Sequence, residues 1–92
     1  MSKDTQDYIA EECDFIKEFL IEKNKKYGDS ALHPMRIFSR ASPIEQINVR
    51  IDDKLSRMMR GNRQKEDEDV DLDLIGYLLL KRVCLRKAKE EK

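Results

Sequence analysis

The sequence lacks the features expected of a membrane, secreted, zinc-binding or general nucleic-acid-binding protein. No apolar run approaches the ~18 residues of a membrane span, and the first residues show no hydrophobic stretch of the signal-peptide kind. The two cysteines and the single histidine have no metal-site spacing, so no zinc site is expected. The 19 basic and 19 acidic residues give a formal charge of zero, which offers no electrostatic case for nucleic-acid binding.

Motifs of several enzyme classes are also missing: there is no glycine-rich phosphate loop, no Ser-His-Asp order and no CxxC pair. Cys13 and Cys84 lie far apart in sequence, which favours two small buried hydrophobes in a reducing compartment. We therefore predict a cytoplasmic location. His33, which precedes Pro34, is either a structural side chain or a catalytic base, and the first interpretation is favoured.

The composition predicts one small folded domain that needs a second copy of itself. The chain has 92 residues, of which 41% are charged and 39% hydrophobic. A lone chain of this length buries only roughly 60–65% of the surface that its unfolded form exposes. We expect a single helical domain over residues 1–92, with frayed ends at about 1–4 and 87–92.

Apolar residues recur at helical spacing in three stretches. The first runs from about Asp4 to Lys26, with Asp4 or Thr5 as its cap and Gly28 at its end. Its predicted buried stripe comprises Tyr8, Ile9, Cys13, Ile16, Leu20 and Tyr27, widened by Phe15 and Phe19.

The second stretch has the clearest start, because Ser42, Pro43 and Glu45 stand at the N-cap, N1 and N3 positions of a capping box. Gly61-Asn62 ends it. Its inward stripe comprises Ile44, Ile47, Ile51, Leu55 and Met58.

The third stretch follows the acidic segment 66–69 and is apolar most of the way round, so it must be covered on several sides. After Leu85 a basic, solvated end is expected. The connection 29–41 carries four large apolar residues and should pack over the bundle, with a short helical turn as one option. These features predict an all-α fold, with three main helices in an antiparallel bundle completed by homo-oligomerisation.

Acidic residues on two of the predicted helices could form a metal site. Asp69 and Asp73 are four residues apart and share a helix face, and Asp52 and Asp53 lie on the preceding helix. Antiparallel packing of the two helices could bring these carboxylates together in an oxygen-ligand site suited to Mg²⁺. The alternatives are interhelical salt bridges, which the spacing alone favours, and simple solvent exposure.

The end of the first helix mixes groups that suit a nucleotide. Lys23 offers a point charge for phosphate, Asn24 has donors and an acceptor for a base edge or sugar, and Tyr27 has a stacking face. The alternative, favoured by spacing alone, is that the lysines offset the helix dipole and Gly28 is only a cap.

Three segments taken together resemble a known family. They are Lys23-Asn24-x-x-Tyr27-Gly28-Asp29-Ser30, Arg50-Ile51-Asp52-Asp53-Lys54-Leu55-Ser56-Arg57 and Glu68-Asp69-x-x-x-Asp73-Leu74-Ile75-Gly76-Tyr77. Their order and spacing are similar to the phage-associated "nucleotide modification associated domain 1" family. That family looks like a branch of the all-α nucleoside triphosphate pyrophosphohydrolases, the MazG-like and dimeric dUTPase group.

The resemblance implies a helical bundle completed by dimerisation or higher assembly. It also implies Mg²⁺-dependent cleavage of a (deoxy)nucleoside triphosphate to monophosphate and pyrophosphate. The metal ligands of the enzymes come from an ExxE pair and an ExxD pair. Carried over, Asp53, with Asp52 as an option, stands in the first pair, Asp73 is the terminal Asp, and Asp69 replaces the glutamate expected at Val70. The second acid of the first pair falls on Ser56 or Arg57 and is missing.

The resemblance assigns the remaining roles as follows. Lys54, Arg57 and Lys23 offset phosphate charge, Lys23 and Asn24 read the nucleotide, and Tyr27 or Tyr77 flanks the base. Glu22 is a spare acid for the metal shell. Because one acid is missing, two alternatives stay open: a nucleotide-binding module without catalysis in a phage nucleotide-modification system, and a helical protein that only binds another protein.

Overall fold

The computed structural model describes residues 2–33, 39–61 and 69–90, and these residues form three helices. The helices are α1 (Thr5–Lys26), α2 (Pro43–Met59) and α3 (Val70–Glu90). No strand occurs in these ranges, so the predicted all-α class is confirmed. Among the same residues, none of the helices combines the length and apolar character that crossing a bilayer requires.

The start of α1 is a reciprocal capping box. An Asp4 carboxylate oxygen accepts the Asp7 N–H at 2.9 Å, and the Asp7 carboxylate accepts the Asp4 N–H at 3.1 Å. Past the C-cap Tyr27, Gly28 has φ +60°, the left-handed conformation that costs glycine little. The predicted bounds of α1 are therefore confirmed, with Asp4 rather than Thr5 as its cap.

The start of α2 is also the predicted one. The Ser42 hydroxyl accepts the Glu45 N–H at 3.2 Å, and Pro43 is the first helical residue. The helix ends at Met59, and Gly61 follows with φ +68°.

Two cross-helix pairs show that α2 and α3 run antiparallel. Lys54 of α2 lies beside Asp73 of α3, and Arg50, one turn earlier in α2, lies beside Tyr77, one turn later in α3. The core lies between these helices and under the loop that follows α1. Its buried apolar side chains are Leu32, Ile47, Ile51 and Val70.

Helix α1 meets α3 near Leu20, where the two helices approach closely. A β-carbon at Gly76 would lie 2.9 Å from the Leu20 Cδ2 atom, so the absence of a side chain at this position permits the contact. Leu20 of α1 lies against Gly76 of α3, whereas Lys23, one turn later in α1, lies near Asp73, one turn earlier in α3. Helix α1 is therefore also antiparallel to α3. Helices α1 and α2 therefore run in the same direction.

The prediction of a buried stripe along α1 is wrong for the single chain, because no residue of α1 is buried. Tyr8, Ile9 and Phe15 are 54–58% exposed, and Leu20 is only half-buried. Cys13 is exposed and Cys84 half-buried, so the prediction of two buried cysteines is also wrong. The physical reason is that, among the described residues, α1 meets α3 toward its C-terminal end, near Leu20 and Lys23.

Helix α3 extends to Glu90, beyond Leu85, where the sequence predicted the onset of a solvated end. Leu32, from the connection between α1 and α2, is buried as expected of a packed segment. Several predictions fall outside the described residues. They concern the stop at Asn62, the packing of Met35, Ile37 and Phe38, and the acidic segment Glu66, Asp67 and Glu68.

Candidate functional site

A cleft of about 570 Å³ lies between the C-terminal part of α1, the N-terminal half of α2 and the N-terminal half of α3. This volume is within the range of roughly 300–1,000 Å³ usual for small-molecule sites. The residues that line it are Phe19, Leu20, Lys23, Asn24, Tyr27, Ser30, Ala31, Gln46, Ile47, Arg50, Leu72, Asp73, Gly76, Tyr77 and Leu80.

The cleft combines cationic side chains with aromatic rings. The Arg50 guanidinium carbon lies 5.9 Å from the centroid of the Tyr77 ring, and the Lys23 ammonium lies 5.0 Å from the centroid of the Phe19 ring. Tyr27 is 57% exposed, so part of its ring is open to a ligand. An anionic molecule with a flat ring system would find complementary groups here.

Asp73 is the acidic residue of the cleft wall and is engaged by lysines. Its carboxylate lies 3.1 Å from the Lys54 ammonium and 3.9 Å from that of Lys23. The Asp73 side chain is 22% exposed and that of Lys54 only 12%. With Lys23 and Arg50 also lining the cleft, the described residues of the wall keep an excess of positive charge.

The other two predicted metal ligands lie elsewhere. Asp53 pairs with Arg57 on the flank of α2, at 3.4 Å, and its side chain is 58% exposed. The Asp69 carboxylate accepts the Leu72 N–H at 2.9 Å and so caps the start of α3. Neither residue lines the cleft.

In the ranges that the structure describes, no group of three His, Cys, Asp or Glu side chains could hold a metal ion. Of the three predicted ligands, only Asp73 therefore reaches the candidate site. Asp52 and Glu22 are exposed and also lie outside the cleft lining. Of the two residues predicted to offset phosphate charge on α2, Lys54 lies against Asp73 and Arg57 against Asp53.

The failed convergence has a simple geometric cause. Ile47, Ile51, Lys54 and Met58 follow the spacing of one helix face, and Ile47 and Ile51 are buried. Lys54 therefore points toward α3 and meets Asp73. Asp53 is one residue away, which turns its side chain by about 100° around the helix axis and into solvent.

The predicted nucleotide-binding residues, by contrast, come together. Lys23, Asn24, Tyr27 and Tyr77 all line the cleft, although Tyr77 is far from the others in sequence. His33 is exposed, with its Nε2 atom 3.3 Å from an Asp29 carboxylate oxygen, and lies outside the lining. This position fits the structural interpretation of His33.

Sequence reasoning missed Gln46 and Arg50 as cleft residues. The Arg50 guanidinium lies over the Tyr77 ring. A usable signal was present, because Gln46 and Arg50 are one turn apart and Arg50 is one turn before the inward-facing Lys54.

Comparison with protein-family models, with curated proteins and with solved structures finds no match for this chain.

Proposed function

We propose that this protein binds a nucleotide in the cleft between α1, α2 and α3. The observation that carries the proposal is that all four residues predicted to contact a nucleotide line this one cleft, together with Arg50. In this proposal Lys23 and Arg50 contact phosphates, and Tyr27 and Tyr77 flank the base. Arginine suits phosphate because its planar fork can donate two parallel hydrogen bonds.

Calorimetric titration with a panel of deoxynucleoside triphosphates, with and without Mg²⁺, tests this proposal. Arg50→Gln should weaken binding by roughly 10- to 150-fold, because a hydrogen bond to a charged group contributes about 1.5–3 kcal/mol. The matched control is Arg86→Gln, since Arg86 is an exposed arginine near the end of α3 that pairs with Glu90. The proposal fails if no nucleotide binds the parent protein, or if the two variants bind equally well.

Hydrolysis of the bound nucleotide to monophosphate and pyrophosphate is the second candidate. The observation in its favour is that Asp73 places a carboxylate, with Lys54 at 3.1 Å, in the wall of the same cleft. The described residues of one chain do not fit a Mg²⁺ site, because Asp53 and Asp69 lie elsewhere. Catalysis would therefore require carboxylates beyond the described residues of one chain, and a second copy of the chain is one source of them.

Incubation with the same nucleotides and Mg²⁺ separates binding from catalysis. The hydrolase proposal expects pyrophosphate and monophosphate well above background, and a large loss in Asp73→Asn. If no product forms while calorimetry shows binding, the protein is a nucleotide-binding module. Equal turnover by Asp73→Asn and the parent would remove the role assigned to Asp73.

We also propose that a second copy of the chain covers the apolar surface left open in the single chain. Exposed apolar side chains lie on α1, as Tyr8, Ile9 and Phe15, and continue on α3. The Cα radius of gyration is 15.5 Å, against about 12 Å expected for a compact chain of this length. If the purified protein has the mass of one chain at micromolar concentration, the surface instead fits a different protein partner.

A further inference from the structure

Asn24, one of the cleft residues, is tied to Asp29 by two separate links. The Asp29 backbone N–H donates to the backbone carbonyl of Asn24 at 3.1 Å, and the Gly28 N–H donates to the backbone carbonyl of Lys25 at 3.5 Å. These two bonds are those of a Schellman motif at the end of α1. In addition, the Asn24 side-chain Nδ2 donates to the Asp29 Oδ1 at 2.7 Å.

Asp29 adopts a backbone conformation that most residues avoid. Its φ is +60°, directly after Gly28 with the same value. Aspartate tolerates this left-handed region better than most side chains, but glycine would adopt it at lower cost. The side chain at this position therefore has a use that offsets the backbone cost.

The second oxygen of the Asp29 carboxylate is engaged as well. Oδ2 lies 3.3 Å from the Nε2 atom of His33, and the His33 backbone N–H donates to the Asp29 carbonyl at 2.9 Å. With one oxygen on Asn24 and the other on His33, the carboxylate is held from both sides. Asp29 is not among the residues that line the cleft in the described part of the chain, so it acts there only through Asn24.

The chemistry of this pair fixes the orientation of the Asn24 carboxamide. An ionised carboxylate only accepts hydrogen bonds, so the carboxamide must turn its NH₂ group toward Asp29. The opposite orientation would bring the Asn24 carbonyl oxygen against a carboxylate oxygen, which is repulsive. The Asn24 oxygen is therefore directed away from Asp29 and keeps its capacity to accept.

We propose that Asp29 is a positioning residue that makes Asn24 a fixed hydrogen-bond acceptor in the cleft, selecting nucleotides that carry a donor there. This inference rests on the proposed nucleotide site and narrows its ligand. The donor is an N–H of an exocyclic base amine or an O–H of a sugar hydroxyl. Both sources share the chemistry that Asn24 recognises, and matched nucleotide pairs distinguish them.

The test compares the parent with Asp29→Asn by calorimetry on three pairs of nucleotides. The pair dATP and purine deoxyriboside triphosphate differs only at the exocyclic amine, CTP and dCTP only at the 2′-hydroxyl, and dCTP and dideoxy-CTP only at the 3′-hydroxyl. The parent should prefer the donor-bearing member of at least one pair by roughly tenfold, the value of one good hydrogen bond. In Asp29→Asn, an NH₂ group replaces one acceptor oxygen, both Asn24 orientations can pair, and the preference should fall below about threefold.

Asp29→Gly separates this role from a merely structural one. Glycine accepts φ +60° without strain, so the loop should keep its backbone and the thermal midpoint should not fall. The same loss of preference is nevertheless expected, because the link to Asn24 is gone. Side-chain amide NMR of the ligand-free protein should show the Asn24 NH₂ protons shifted by both substitutions, whether or not nucleotides bind.

Three results would overturn the proposal. One is an unchanged preference in both Asp29 variants. Another is a parent protein that binds both members of every pair equally, which refutes the selectivity while leaving the nucleotide site intact. A parent that binds no nucleotide refutes the site and the selectivity together, and the NMR shifts then show only whether Asp29 holds Asn24.

Discussion

Replacing Lys54 with methionine tests whether the Lys54–Asp73 pair holds α2 against α3. Methionine keeps most of the length and the apolar stem of lysine but removes the ammonium 3.1 Å from Asp73. The Asp73 side chain is 22% exposed, and its other cation, Lys23, lies at 3.9 Å and is 48% exposed. In the variant, the partly buried Asp73 carboxylate thus keeps only the more distant Lys23 of these two cations to offset its charge.

The size of the effect follows from the burial of the two partners. Exposed pairs contribute about 0–1 kcal/mol, whereas removing one partner of a buried pair costs roughly 3–5 kcal/mol. With Lys54 at 12% and Asp73 at 22% exposure, we expect a loss of about 2 kcal/mol. For a domain of this size that corresponds to a midpoint roughly 8–16 °C lower.

Urea denaturation followed by far-UV circular dichroism measures the free energy of unfolding. All samples need the same protein concentration, because assembly with a second copy would add to the apparent stability. A double-mutant cycle with Asp73→Asn isolates the pair from other contacts of Lys54, and a coupling energy of about 1 kcal/mol or more is expected.

The matched cycle combines Asp53→Asn with Arg57→Met on the same helix. That pair joins residues one turn apart at 3.4 Å, and the Asp53 side chain is 58% exposed, so its coupling should stay near 0.3–0.5 kcal/mol. Equal coupling in the two cycles would refute the reasoning, since burial of the ion pair would then have no bearing on its contribution.

Two further predictions concern the start of α2 and the open face of α1. Ser42→Ala removes the acceptor of the Glu45 N–H and should lower the free energy of unfolding, measured by urea denaturation, by about 1 kcal/mol. The control Ser39→Ala, at a position outside any helix, should lower it less. Equal losses in the two variants would contradict a capping role for Ser42. Phe15→Glu adds a charge to the exposed face of α1 and should reduce the mass measured by light scattering to that of one chain, whereas a parent-like mass would show that this face is not the interface.

The helix ends were predictable because each depends on a few neighbouring residues. Asp4, Ser42 and Gly28 act within one turn of chain, through hydrogen bonds or a positive φ that their residue types favour. Periodicity was less informative for α1. An apolar stripe shows that a helix has a face to cover, but it does not say which element of which chain covers it.

The candidate site was predictable only in part. The residues at the end of α1 and Tyr77 line one cleft, as residues of a shared site would, and their role in binding stays a prediction. The predicted convergence of Asp53 with Asp73 was wrong, because it depends on the rotation of α2 about its axis. A rotation of one residue position decides whether Asp53 or Lys54 meets Asp73, and the buried Ile47 and Ile51 fix that rotation in favour of Lys54.

The open face of α1 and the candidate site are physically connected. Helix α1 supplies Lys23, Asn24 and Tyr27 to the cleft, yet none of its residues is buried, and it meets α3 where Leu20 packs on Gly76. In the described part of the chain α1 contacts α3 through few residues, so α1 as a whole can shift relative to α2 and α3, and ordering it on binding costs affinity. A second copy packed on α1 would remove part of that cost in advance, so assembly and nucleotide affinity should rise together.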